Sequence, residues 1–168
     1  IWRTDDEIKN FYEVHDRAED YKELNPGSVA YYDGIVYVDL STIKPMIAMP
    51  FHPSNTYTID ELNANLEDIE KKAVKTINNP DIHFKLRDKI KNGRLYVDQG
   101  VIAGCAGGTY DNICDVADIL NGQSIGADDF ALSVYPSSQP VFMQLVENGS
   151  IFKLMNAGAT VRSAFCGP

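Results

Sequence analysis

Two cysteines carry most of the chemistry this sequence could perform. Cys105 lies in Gly104-Cys105-Ala106-Gly107-Gly108, and Cys166 in Cys166-Gly167-Pro168. A thiol one residue past Pro168 would complete a Cys-x-x-Cys element, and such a pair plus a distant third cysteine is how proteins hold an iron–sulfur cluster. The sequence is therefore expected to be a piece of a larger protein that stops inside a cofactor site; it also opens on Ile1-Trp2-Arg3, without Met. Both cysteines follow stretches with strand character. Ligands in open α/β sheets bind at the carboxyl ends of strands, so the two thiols can meet in space. The glycine turn after Cys105 lets backbone approach a ligand and leads into a helix N-terminus, which favours a thiolate and an anionic cluster. Gly167 allows tight approach and Pro168 stiffens the turn. The alternative is that both are small buried core residues, a common state for free cysteines. That version predicts thiols far apart and unexposed. Cys114, mid-helix in Asn112-Ile113-Cys114-Asp115, reads as a half-buried residue without a role.

The elements that must position these thiols follow from periodicity. Residues 4–24 read as a charged helix, capped by Thr4, with Asp5, Asp6 and Glu7 in its first turn and a stripe of Ile8, Phe11, Tyr12 and His15. Asn25-Pro26-Gly27 stops it. Residues 28–32 and 35–40 bracket Asp33-Gly34 and read as a hairpin or two short strands. Residues 43–55 hold Pro45, Pro50 and Pro53, so a loop is expected. Residues 58–78 read as a helix capped by Thr58 or Asp60, with Leu62, Leu66, Ile69, Ala73 and Ile77 inward and Asn79-Pro80 ending it. Residues 84–91 give a mixed signal, helix or strand. From residue 95 onward the order is strand (95–104), helix (110–120), strand (131–135), helices (141–147 and 150–157, broken at Asn148-Gly149) and strand (158–165). That alternation predicts an α/β fold, a three-layer α/β/α sandwich with a mostly parallel sheet. Two regions are expected: an N-terminal helical connector over 1–27 and the α/β domain over 28–168.

Composition narrows the class. The chain has 168 residues, 44% hydrophobic and 23% charged, with a formal net charge of −9. That suits one globular domain. The acidic balance disfavours nucleic acid, whose phosphates call for Lys/Arg clusters. No apolar run reaches the roughly 18 residues of a membrane span, and no signal peptide is visible. Three irregularly spaced cysteines argue for a reducing compartment, hence a cytoplasmic location or an organelle matrix.

Taken together, four stretches resemble the iron–sulfur domain of the aconitase family: aconitases, homoaconitases and isopropylmalate isomerases. Ile35-Val36-Tyr37-Val38-Asp39-Leu40-Ser41-Thr42-Ile43-Lys44-Pro45 resembles the family's strand and Leu-x-x-x-x-Pro turn. Pro50-Phe51-His52-Pro53 resembles its Pro-Phe-x-Pro loop. Residues 101–112 sit where the family has Ile-Gly-Ser-Cys-Thr-Asn-Ser and a polar helix start. Gly158-Ala159-Thr160-Val161 through Cys166-Gly167-Pro168 resembles its Gly-Ala-x-Val strand and Cys-Gly-Pro-Cys motif. The resemblance covers roughly 28–168. It implies a [4Fe–4S] cluster with three cysteine ligands and one open iron, the Lewis acid for dehydrating and rehydrating a hydroxy-polycarboxylate. Cys105 and Cys166 would be two ligands, and a third is expected just after Pro168. The catalytic base and the substrate-binding groups would come from other domains of the polypeptide. The chain alone is expected to be inactive and to hold no cluster. One departure stands out: Cys-Thr-Asn-Ser is here Cys105-Ala106-Gly107-Gly108, which removes side-chain hydrogen bonds beside the cluster.

Several other residues have two readings. His52, Gly107 and Arg162 are candidates for the surroundings of the cluster. His52 would be a donor from the proline-rich loop, Gly107 a close backbone, and Arg162 a cation steering an anionic substrate. Packing or exposure accounts for His52 and Arg162 as well, and for His15 and His83. Ser137 and Ser138 read as a helix cap or a ligand-positioning pair; Asp111 and Asn112 as helix-start residues. The Cys and His spacings do not match a zinc site. Two rival functions stay open: a non-catalytic regulatory or RNA-binding module that kept the fold, and a plain α/β binding domain.

Overall fold

A computed structural model describes residues 2–77, 79, 81–127 and 129–167. Readings that rest on Asn78, Pro80 and Pro168 fall outside the described residues. The chain divides into two compact units, Ile1–Ile43 and Lys44–Pro168.

In the first unit, helix α1 spans Asp6–Val14. Its N-cap is Asp5, whose side chain accepts from Ile8 N, and not Thr4 as periodicity suggested. The helix is shorter than the expected 4–24 because Asp16 takes a left-handed φ of 53°, and a single 3-10 turn, Ala18–Asp20, follows. The expected strands at 28–32 and 35–40 do not form: the segment is irregular, forms no ladder and runs into a 3-10 turn, Leu40–Thr42, with Tyr31 93% and Val36 91% exposed. The residue types favour strand, but a ladder needs a partner, and an isolated hairpin is marginal in water.

The second unit holds the sheets. Strand β1 (Met46–Ala48) pairs antiparallel with β2 (Thr56–Thr58), correcting the loop expected over 43–55. Pro45 precedes β1, while Pro50 and Pro53 lie in its turn, where no ladder donor is needed. The long helix expected at 58–78 is two: α2 (Ile59–Ala64) and α3 (Leu66–Lys75), broken at Asn65. Thr58 caps α2 in a full capping box with Glu61, whose carboxyl is held below its ordinary value by the Thr58 backbone and hydroxyl. The inward residues Leu62, Leu66, Ile69 and Ala73 are buried as read; Leu62, Leu66 and Ile69 form a first core with Met49 and Leu86. Glu70 is also buried, 8% exposed, and holds the following segment (see Discussion). The mixed signal at 84–91 resolves into a 3-10 turn, Arg87–Lys89, and β3 (Ile90–Lys91), paired antiparallel with β4 (Arg94–Leu95).

The alternation from residue 95 onward produces a parallel sheet, the α/β arrangement expected. Strand β5 (Gln99–Ile102) pairs with β6 (Ala131–Val134), and β6 with β7 (Thr160–Val161), all parallel, in the order β5-β6-β7. Helices α5 (Tyr110–Leu120), α6 (Gln139–Glu147) and α7 (Ser150–Asn156) connect and cover them. Register puts Ile102, Val134 and Val161 in one row. That row faces the second core, where Ile113, Ala117, Leu145 and Leu154 have no exposed surface. Each of Ile113, Leu145 and Leu154 contributes roughly 1.5–3 kcal/mol by leaving water. The break between α6 and α7 falls at Asn148-Gly149 as read, with Gly149 at φ 82°.

Candidate functional site at the carboxyl edge of the parallel sheet

Each of the three parallel strands ends in a loop at the same edge, and the three loops are tied by main-chain hydrogen bonds. After β5, the chain enters a four-residue helical turn, α4 (Gly104–Gly107), which carries Cys105. The strand expected to run into Cys105 stops at Ile102. Gly108 N donates back to Gly104 O at 2.8 Å and closes this turn. Asn112, from the first turn of α5, donates its side-chain amide to Ala106 O. It serves the turn, not the helix dipole alone. After β6, Ser137 N donates to Gly108 O at 2.8 Å, and Ser138 caps α6 as expected, accepting from Val141 N. After β7, Phe165 N donates to Pro136 O at 3.2 Å, and the Phe165 ring lies 6.5 Å from that of Tyr135. The final strand is shorter than the expected 158–165, since its neighbour β6 ends at Val134, whose carbonyl accepts from Arg162 N.

The loops bearing the two cysteines touch. Gly104 takes φ +85°, and a Cβ there would lie 3.8 Å from Cys166 O. Gly167 takes φ +104°, and a Cβ there would lie 2.8 Å from Ala103 Cβ. Both thiols are free and exposed. The reading of Cys105 and Cys166 as distant, unexposed core residues is therefore corrected: strand ends at a sheet edge are solvated, and no helix covers them. Among the described residues no three His, Cys, Asp or Glu side chains come together as a metal site. Cys105 and Cys166 each offer an exposed thiol, a soft donor of the type that iron–sulfur chemistry uses.

The remaining candidates divide. Gly107 is on the Cys105 turn and its Cβ position meets nothing within 4 Å, so it fronts open space beside the thiol. Arg162 donates its backbone N to Val134 O at 2.9 Å, and its exposed side chain takes no carboxylate partner among the described residues. His52 sits in the β1–β2 turn, and its hydrogen bonds are local: Ser54 N donates to Nδ1 at 3.2 Å and the Ser54 hydroxyl lies 2.8 Å from the same atom. His15 bonds Phe11 O within α1. Cys114 is half-buried as read, but its sulfur receives the Asn148 amide at 3.2 Å and the Ser150 hydroxyl at 3.6 Å. Periodicity missed Gly108 as distinct from Gly107. A Cβ at 108 would sit 2.5 Å from Tyr135 O, 2.8 Å from Gly104 O and 3.0 Å from Ser137 N. Nothing local in the sequence separates the two glycines, because two of the three crowding atoms, Tyr135 O and Ser137 N, come from the β6 loop.

The described residues thus give a parallel α/β sheet with two exposed cysteines on adjoining loops at its carboxyl edge. The chain belongs to the aconitase family: the family model, described as aconitase family (aconitate hydratase), matches residues 2–168. Among curated relatives, it is 30% identical over its whole length to a 3-isopropylmalate dehydratase large subunit of Clostridium botulinum (strain Alaska E43 / Type E3), covering 32% of that protein. It is 26% identical to the protein of that name in Clostridioides difficile (strain 630), covering 33% of it. It is also 27% identical to a 2,3-dimethylmalate dehydratase large subunit of Eubacterium barkeri, again covering 33%. The chain thus spans about a third of the length of the curated relatives it matches. No helix among the described residues is long and apolar enough to cross a membrane.

Proposed function

We propose that this chain is the cysteine-bearing α/β part of a hydro-lyase that acts on a hydroxy-polycarboxylate of the alkylated-malate type. The carrying observation is the meeting of the Cys105 and Cys166 loops at one sheet edge in a chain of the aconitase family. The names of the relatives supply the substrate class, and their designation as large subunits supports a second, smaller chain as partner beside other domains of the same polypeptide.

Cys105 and Cys166 would ligate two irons of a [4Fe–4S] cluster, with a third thiolate from just beyond Pro168. When bound, the cluster supplies an iron with an open position that polarises a hydroxyl and a carboxylate. The chain's own residues do the rest of their work by placement. Gly104 and Gly167, both left-handed, let the two thiols share a floor of main chain. Gly107 leaves room beside Cys105, and the Arg162 guanidinium draws the anionic substrate to this edge. His52 is a further donor on this reading, its Nε2 free of the Ser54 contacts. Overall, a proton leaves one carbon and hydroxide its neighbour, giving a double bond and water. The base that takes the proton lies in other domains, so residues 1–168 alone are inactive. Their location is the cytoplasm or another reducing compartment.

The test is anaerobic reconstitution of the full-length polypeptide with ferrous iron and sulfide, beside Cys105→Ser and Cys166→Ser. A brown visible chromophore lost in either variant, together with dehydration of an alkylmalate, is the expected result. A colourless wild type overturns the reading. The regulatory or RNA-binding alternative predicts instead tight, salt-sensitive RNA binding, which the net charge of −9 opposes.

A further inference from the structure

Among the described residues no hydrogen bond joins the two cysteine turns directly; both lean on the turn after β6. Ser137 N reaches Gly108 O on one side, and Pro136 O receives Phe165 N, one residue before Cys166, on the other. The Tyr135–Ser137 segment is therefore a spacer shared by the two thiol-bearing loops, which touch each other beside it. How closely the Cys105 turn can seat on it is limited at position 108, where a Cβ would lie 2.5 Å from Tyr135 O and 3.0 Å from Ser137 N. Gly108 has an ordinary φ of −89°, so glycine is not required there for backbone conformation. It is required for space, because all three atoms a Cβ would meet are main-chain atoms that cannot rotate aside. Its neighbour Gly107 carries no such restriction.

We infer that Gly108 is a positioning residue that sets the Cys105–Cys166 separation by letting the Cys105 turn seat flush on the Tyr135–Ser137 spacer. The inference rests on the reading of these two thiols as one site, and adds the device that fixes their spacing. A methyl at 108 must push the turn away by several tenths of an ångström or more while leaving both thiols exposed. Reactions that need two groups in register lose on the order of a hundredfold for about 1 Å of displacement.

The experiment uses this chain and the bifunctional thiol reagent dibromobimane, with peptide mapping to separate Cys105–Cys166 crosslinks from products at Cys114. Parent, Gly107→Ala, Gly108→Ala and Gly167→Ala are compared after far-UV circular dichroism confirms folding. A monofunctional bimane measures each thiol's own reactivity. The expected result is a Cys105–Cys166 crosslink in the parent and in Gly107→Ala. In Gly108→Ala the crosslink slows about tenfold or more while single-thiol rates stay near the parent's. Gly167→Ala crowds the same junction from the Ala103 side and decides the matter if Gly108→Ala does not fold. Equal crosslinking in folded Gly108→Ala and Gly107→Ala overturns the inference, as does a parent that gives no crosslink. So does an unchanged Gly167→Ala when Gly108→Ala is unfolded. A colourless full-length protein with the expected crosslinking pattern sinks the cluster reading and leaves this inference standing.

Discussion

Arg87 closes on Glu70 from two directions. Its backbone N donates to Oε2 at 3.0 Å, and its guanidinium donates to Oε1 at 3.0 and 3.2 Å. Leu86 N adds a fourth hydrogen bond at 2.7 Å. The carboxylate thereby pins residues 86–87 to α3 and delivers the chain to β3.

Burial pushes the Glu70 carboxyl up, but the hydrogen bonds from Arg87 N, Leu86 N and the Arg87 side chain outweigh it and hold the group below its ordinary 4.5. A depressed folded pKa stabilises above the unfolded value and ceases to do so as pH falls through the folded value. Glu70→Gln is expected to cost about 1.5–3 kcal/mol at pH 7. The gap between parent and variant should narrow below pH 4.5, as the parent loses the same charge. Urea unfolding at pH 7 and near pH 3.5 checks both statements; a pH-independent gap would contradict them.

Ile113 and Ile119 share helix α5 but not an environment: the first has no exposed surface and the second is 74% exposed. Ile113→Ala is expected to cost about 2–5 kcal/mol, the range for large-to-small changes in a closed core. Ile119→Ala is expected to stay within about 0.5 kcal/mol. Chemical denaturation of the two single variants makes the comparison.

Thr58 N and Oγ1 both donate to Glu61 Oε2, while Glu61 N donates to Thr58 Oγ1 at 3.2 Å. Thr58→Ala removes the cap and should cost about 1 kcal/mol, whereas Thr58→Ser should be nearly neutral. Thermal melts of the pair provide the check; equal losses would show that the threonine methyl, not its hydroxyl, matters.

Cys105 and Cys166 are exposed, so replacing either by Ser should leave the melting temperature of this chain within a few degrees while removing thiol reactivity at that position. Cys114→Ala differs. It leaves the Asn148 amide and the Ser150 hydroxyl, which is buried, without the sulfur they donate to, and a cost of about 1–2 kcal/mol is expected.

Local signals were the legible ones. Helix α5 occupies Tyr110–Leu120 as read, because its apolar stripe lies within eleven residues and its inward positions 113 and 117 are one turn apart. The capping of α2 by Thr58 was legible for the same reason. Pairing was not. Residues 35–38 have strand-forming side chains and no ladder, while Met46–Ala48, read as loop among prolines, forms one with Thr56–Thr58. Strand identity depends on a partner that propensity does not see. At the site, residue types marked Cys105 and Cys166 and the strand-end rule brought them to one edge. The distinction between Gly107 and Gly108 was invisible, since it is made by Tyr135 and Ser137 across the sheet.

The exposed, ladder-free segment in the first unit bears on how this chain behaves at high concentration. Ile35-Val36-Tyr37-Val38 is an apolar, uncharged run with unspent main-chain donors and acceptors, the makings of an intermolecular cross-β contact. Asp33 and Asp39 flank it as gatekeepers whose repulsion opposes stacking of identical copies. The Ser41 hydroxyl and backbone N both donate to Asp39 and hold its carboxyl below the ordinary value, so that charge survives further into acid than an unassisted aspartate would. Replacing Asp39 by Asn should therefore increase self-association of the chain at neutral pH, read as greater light scattering than the parent's at equal concentration.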